Sequence, residues 1–216
     1  MNNWLLIASF AVAYLLGSIP SAIWYGEAYF GIDVRKYGSG NAGATNTFRV
    51  LGKRAGTIVL LIDVLKGWTA TRLASLLFYA NSLETEQLLT FKLLLGFTAV
   101  LGHLYPVFVG FKGGKGVAAS LGMVLAIEPQ VATVCIGIFL LVLLASNFVS
   151  LSSIVAALAF PVLLLFGVFG HASTLLIVFG FVLFAVVTYT HHKNIIRLFK
   201  GSESRVYLFR KNRPLK

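Results

Sequence analysis

Cysteine is almost missing from this chain. The single thiol, Cys135, lies in an apolar run, so no intrachain disulfide can form and a thiol-ligated metal site has no second ligand of its kind. Acidic residues are scarce too: seven Asp and Glu stand against eighteen Lys and Arg, and only Asp33 and Asp63 are aspartates. A Ser-His-Asp relay therefore has few candidate members. No carboxylates or cysteines cluster in sequence around His103, His171, His191 or His192, so neither a metal nor any other cofactor is expected. None of the four is followed by aspartate in an H-x4-D pair, the arrangement many soluble acyltransferases use. Lysine and arginine are absent before the first apolar run, MNNWLLIASF. That start lacks the basic region of a cleaved signal, and the run is expected to remain as a membrane span.

What is present is apolar. Hydrophobic residues make up 58% of the 216 positions and the mean hydropathy is +0.87, too many long runs for one soluble core. The net charge of +11 does not point to nucleic acid, because the cations fall in short gaps between apolar runs where they set membrane orientation. Spans are expected at 4–25, 55–80, 91–111, 117–127, 131–145, 154–168 and 173–190. Gly17, Ser18, Pro20 and Ser21 are placed to kink the first. The second carries Asp63, Lys66 and Arg72, and the first two are spaced to pair on one helix face.

The run 117–127 is short for a crossing, and charge decides that it is one. Basic residues gather in the first loop (Arg35, Lys36, Arg49, Lys53, Arg54), the third (Lys112, Lys115) and the tail from Lys193 to Lys216. Seven crossings put all three on one side, whereas six would split them against the positive-inside rule. The expectation is a single all-α integral membrane domain over 1–216, with seven helices, the N-terminus outside and the C-terminus cytoplasmic.

Three polar islands then share the cytoplasmic face: GSGNAGATNTFR at 38–49, KGGKG at 112–116 and HHKNIIR at 191–197. Glycines let backbone amides approach an anion. Ser39, Asn41, Thr45 and Asn46 offer neutral hydrogen bonds, and Arg49 a planar charged fork suited to phosphate. KGGKG precedes a helix, so its amides and Lys115 meet the positive end of a helix dipole. Literal matches to other motifs fail on context. Gly38-Ser39-Gly40-Asn41-Ala42-Gly43 fits G-x-G-x-x-G but follows a membrane helix where a dinucleotide fold needs a strand. Gly114-Lys115-Gly116 lacks the first P-loop glycine, replaced by Val109, and the Ser or Thr after lysine.

The ordered set of islands, with GHLYPVF before KGGKG and H-x-x-N-I-x-R at the basic C-terminus, resembles the acyl-phosphate-dependent glycerol-3-phosphate acyltransferases, the bacterial PlsY family. The likeness runs over essentially the whole chain. It implies transfer of a fatty acyl group from acyl phosphate to the 1-hydroxyl of sn-glycerol 3-phosphate in phospholipid biosynthesis, in the bacterial cytoplasmic membrane, by a monomer working in the bilayer. An acyl phosphate already has a good leaving group, so the site must supply positioning and charge neutralisation and need not form a covalent intermediate. Ser39, Asn41, His191 and Asn194 are the expected catalytic residues. Gly40, Thr45, Asn46, Arg49, Lys112, Gly113, Gly114, Lys115 and Gly116 are the expected substrate and phosphate contacts, with Gly113, Gly114 and Lys115 as a phosphate cradle. The proton of the attacking hydroxyl goes either to His191, the one conventional base in the islands, or to a substrate phosphate oxygen.

The competing class is a small transporter for an organic or phosphate-bearing anion, with which the intramembrane charges are compatible. No inverted repeat is visible, however, and the polar islands gather at one face and not at mid-membrane. The orientation has its own test. In cells, an impermeant thiol reagent should label Asn2→Cys from outside, and reach Lys112→Cys and Lys211→Cys only after permeabilisation. Equal labelling of Asn2→Cys and Lys112→Cys in intact cells would overturn the seven-helix arrangement.

Overall fold

A computed structural model describes residues 3–80 and 83–206. The described residues divide into two compact units, the first up to Ile127 and the second from Glu128 onward. Among the described residues the secondary structure is helical, apart from one isolated bridge between Val168 and Gly170.

The first unit holds α1 (Asn3–Ser18), α2 (Ser21–Phe30), α3 (Ala44–Leu51), α4 (Lys53–Tyr79), α5 (Thr85–Leu104) and α6 (Val117–Ile127). The expected kink is real: α1 and α2 are bent by 44°, with Pro20 at the break, where it has no N–H to continue the helix. α5 starts with a capping box between Glu84 and Gln87, which satisfies two otherwise orphaned amides. α6 keeps the bounds expected from sequence. Island 38–49 differs from expectation, because its second half is not loop but the helix α3.

α4 is the hub of this unit and packs against α1, α3, α5 and α6. Its contact with α6 is made by glycines facing carbonyls. A Cβ on Gly67 would collide with the Ala119 carbonyl oxygen, and one on Gly122 with that of Val64. Small residues of this kind let helix backbones approach where lipid provides no hydrophobic drive between helices.

The second unit contains α7 (Pro129–Ser146), α8 (Val149–Leu165), α9 (Thr174–Thr190) and α10 (His192–Phe199). Pro129 opens α7 in the position where its missing N–H is not needed. Asn147 ends the helix at φ 62°, a left-handed conformation asparagine tolerates. Ser173 caps α9, its Oγ accepting from the Leu176 N–H at 3.3 Å. α8 packs against both α7 and α9.

Among the described residues, α5 with the turn after it and α7 are long and apolar enough to cross a membrane. Counting the bent pairs α1–α2 and α9–α10 as single spans gives up to four. α6 and α8 are apolar but shorter, and α4 carries Lys53, Arg54, Asp63, Lys66 and Arg72 along 27 residues.

The glycine contact yields a stability test. Gly67→Leu or Gly122→Leu forces α4 and α6 apart and should lower the melting temperature in detergent by at least ~5 °C, the scale of an overpacking cost of roughly 1–3 kcal/mol. Gly137→Leu on α7, where a Cβ meets nothing within 4 Å, should leave it unchanged.

Candidate active site

The first island is a loop tied down before it becomes a helix. Asp33 caps a short 3-10 turn at Val34–Lys36, accepting from the Arg35 N–H at 2.9 Å. The Arg35 guanidinium returns to the same carboxylate, with Nη2 2.8 Å from Oδ2. These hydrogen bonds hold the Asp33 carboxyl below its ordinary range, against the opposing effect of partial burial. Arg35 Nη1 also donates to the Val109 carbonyl at 3.2 Å, which joins the first loop to the turn that introduces the second.

Asn46 then organises the loop from inside. It is 1% exposed. Its Oδ1 accepts from the Ser39 N–H at 2.8 Å and from Ser39 Oγ at 3.1 Å. Its Nδ2 donates to the carbonyls of Val34 at 2.8 Å and Tyr37 at 3.1 Å. Two donors and two acceptor sites are the whole capacity of an amide side chain. Asn46, expected to contact substrate, has all of these positions engaged within the loop in this structure, where it ties Ser39 to Val34 and Tyr37. Gly38 and Gly40 make the turn possible with φ of 61° and 72°, values that an L side chain resists.

Helix α3 separates the remaining candidates by face. Asn46 and Thr47 point inward and are buried, while Thr45 and Arg49, four residues apart, share a half-buried face. Arg49 has no acidic partner among the described residues, whereas the carboxylates of Asp33 and Asp63 are each already paired, with Arg35 and Lys66. Gly43 caps α3 without a side-chain hydrogen bond, which leaves the helix N-terminus next to Gly40 and Asn41 open to an anion.

The second island folds back on α5. Gly110 and Phe111 take φ of 69° and 59°, an uncommon conformation for a bulky residue, and the Phe111 N–H donates to Pro106 at 2.9 Å. The Gly113 and Gly114 amides then donate to the Leu104 and His103 carbonyls, both at 3.1 Å. These two amides, expected with Lys115 as a phosphate cradle, are engaged here in closing the loop onto the end of α5. Their glycine identity serves close packing, since a Cβ on Gly113 would collide with the His103 carbonyl and one on Gly114 with the His103 ring. Lys112 is exposed, Lys115 half-buried and Gly116 buried, immediately before the N-terminus of α6. Ala42 of the first loop and Gly113 and Gly114 of the second line the same small cavity.

The third island lies in the second unit. His191 is 2% exposed and its Nδ1 is 2.7 Å from the Val187 carbonyl. A carbonyl only accepts, so Nδ1 carries the hydrogen and Nε2 is the basic nitrogen of the neutral ring. Asn194 Nδ2 donates to Glu203 Oε1 at 2.7 Å, Ser150 Oγ donates to the same oxygen at 2.9 Å, and Arg197 Nε donates to Oε2 at 2.7 Å. Burial pushes the Glu203 carboxyl up, but these three hydrogen bonds and the Arg197 charge outweigh it and hold the group below its ordinary value. The clamp thus contributes stability at neutral pH that is lost as pH falls through that lowered value. Sequence reading missed Glu203, six residues past the H-x-x-N-I-x-R motif; its one signal was being the lone acid in a basic tail. It also left His103 and Ser150 without a role.

The Asn46 assignment is checked by loop order. Asn46→Asp is nearly isosteric but turns an oxygen toward two carbonyls, at a cost of about 1–3 kcal/mol for the unmade bonds. Trypsin should then cut after Lys36 at least tenfold faster, while Thr45→Val leaves that rate unchanged.

Comparison with known proteins places the chain in a family. A family model described as glycerol-3-phosphate acyltransferase matches residues 7–201. Glycerol-3-phosphate acyltransferases of Chlorobium phaeobacteroides (strain BS1) and Lactiplantibacillus plantarum are 42% and 41% identical to the chain. The first match covers 93% of this chain and 96% of the relative, the second 94% and 92%. Among solved structures, the crystal structure of PlsY, an integral membrane glycerol 3-phosphate acyltransferase, in its glycerol 3-phosphate form superposes with a TM-score of 0.79. It is 37% identical and covers 95% of this chain and 99% of that one. The lysophosphatidic acid form gives 0.77 at 35% identity, covering 94% and 95%. With apolar helices and an integral membrane relative of the same fold, this is a membrane protein, and its chain belongs to the glycerol-3-phosphate acyltransferase family, PlsY type.

Proposed function

We propose that the chain transfers a fatty acyl group from acyl phosphate to the 1-hydroxyl of sn-glycerol 3-phosphate, releasing lysophosphatidic acid and inorganic phosphate. The observation that carries this reading is the charge balance of the two loops in the first unit. Asp33 and Asp63 are already paired, and Arg49 has no acidic partner among the described residues, so its guanidinium can take phosphate beside Thr45 on the same face of α3. Arg49, Thr45 and Asn41 hold glycerol 3-phosphate, while Lys115, with Lys112, Gly116 and the α6 N-terminus, neutralises phosphate charge. Asn46 and the two loop glycines position these groups.

In the reaction the glycerol hydroxyl oxygen attacks the acyl carbonyl carbon, and the bond from that carbon to the phosphate oxygen breaks. Asn41 donates toward the oxyanion that develops between, and so does Ser39 once its hydroxyl hydrogen turns from Asn46 Oδ1 into the site. The proton goes either to a phosphate oxygen of the substrate or to His191, whose Nδ1–H contact with Val187 leaves Nε2 as the basic nitrogen. Asn194, held by Glu203, is assigned to orient substrate. We further infer seven crossings of the bacterial cytoplasmic membrane, with both loops and the tail on the cytoplasmic side, from the distribution of lysine and arginine. The enzyme works as a monomer and without a cofactor in this reading. The relatives described above are all acyltransferases, and the transporter alternative gains no support from them.

Purified protein in lipid, given glycerol 3-phosphate and each acyl donor in turn under excess chelator, should release phosphate and lysophosphatidic acid with acyl phosphate only. Thioester donors should be inactive, and so should glycerol without its phosphate, which leaves Arg49 unpaired. Arg49→Ala and Lys115→Ala should each lower turnover by at least about 10²-fold while the protein stays folded. Efficient turnover of a thioester, or loss of activity on chelation, would overturn the mechanism.

A further inference from the structure

Three ionisable side chains that the reaction does not use lie together inside the first unit. Asp63 and Lys66 of α4 and His103 of the last turn of α5 are 1%, 5% and 6% exposed. Lys66 Nζ is 2.8 Å from Asp63 Oδ1 and donates at 2.8 Å to the Ile19 carbonyl at the break between α1 and α2, which also accepts the Ser21 N–H at 3.0 Å. Ser21 Oγ donates to the same carboxylate oxygen at 2.8 Å. His103 Nδ1 faces that oxygen at 3.5 Å, beyond good hydrogen-bond length. Asp63 Oδ2 and His103 Nδ1 make no hydrogen bond among the described residues, and both residues line the small cavity that Ala42, Gly113 and Gly114 also line. The cavity has room for about one water.

The other side of His103 bears on the second loop. Its ring lies against Gly114 closely enough that a Cβ there would collide with Nε2, and its carbonyl accepts the Gly114 N–H at 3.1 Å. Gly114 is followed directly by Lys115. We propose that the buried Asp63–Lys66–His103 knot sets the height of the second loop, so that His103 is a positioning residue for phosphate binding by Lys115. The inference rests on the assignment of Lys115 to phosphate made above. Asp63 and Lys66 neutralise one another, the carboxylate faces His103 Nδ1 electrostatically across 3.5 Å, and the imidazole fills the space against Gly114. A shift of the loop by an ångström is enough to lose about 10²-fold in rate.

A double-mutant cycle separates this role from simple helix stapling. His103→Gln, and the paired change Asp63→Asn with Lys66→Met that removes both charges at similar volume, are each made in wild-type and Lys115→Ala protein. Both substrates are varied in each case. In wild type, each change should lower kcat/KM at least about tenfold, through a higher KM for a phosphate-bearing substrate. In Lys115→Ala protein the same change should cost less than about twofold more, since residues that act through one another are not additive. Protection of the folded protein by inorganic phosphate during heating should fall in the same pattern, and the paired variant reads the cycle if His103→Gln does not fold. Full additivity in the Lys115→Ala background, or unchanged kinetics in wild type, would overturn the proposal and leave the acyltransferase reading intact. Failure of wild type to make lysophosphatidic acid would overturn both.

Discussion

The amino-terminal unit depends on how it settles two opposite charges in an apolar interior. Asp63 and Lys66 stand 2.8 Å apart at almost zero exposure, where neither charge is tolerable alone. Their pairing releases further bonds for other tasks. Lys66 takes the Ile19 carbonyl at the helix break, and Asp63 takes the Ser21 hydroxyl just beyond it. The kink that Pro20 imposes is thereby satisfied by α4, as backbone groups in a membrane segment must be satisfied from within the protein.

The loops follow the same constraint on a smaller scale. Each is closed by its own internal hydrogen bonds, the first by the side chain of Asn46 and the second by the terminal carbonyls of α5. Closure engages groups that composition alone would assign to a ligand, while Arg49 and Thr45 share the half-buried face of α3. Preorganisation of this sort matters more for a reaction with a good leaving group than any strong acid or base, because positioning and charge neutralisation are what remain to be supplied. The third island repeats the device, with Glu203 gathering Ser150, Asn194 and Arg197 around one carboxylate.

Sequence alone determined the helical class, the apolar character, the bounds of α6, the kink after Gly17, the pairing of Asp63 with Lys66 and, through the order of three short motifs, the family. These depend on composition, local steric limits and spacing along one helix, all of which are properties of neighbours in the chain. Tertiary structure decided which neighbours each motif residue meets. Asn46 and Arg49 both look like ligand contacts in GSGNAGATNTFR, yet α3 turns one inward to four loop groups and the other outward. KGGKG reads as an amide cradle until the close of α5 claims two of its amides. His103 carried no signal of its own and Glu203 only that of a lone acid in a basic tail, because their partners lie 40 residues away on α4 for one and across α8 and α10 for the other. A hydrogen bond has one donor and one acceptor to give, and only the folded chain shows which neighbour received them.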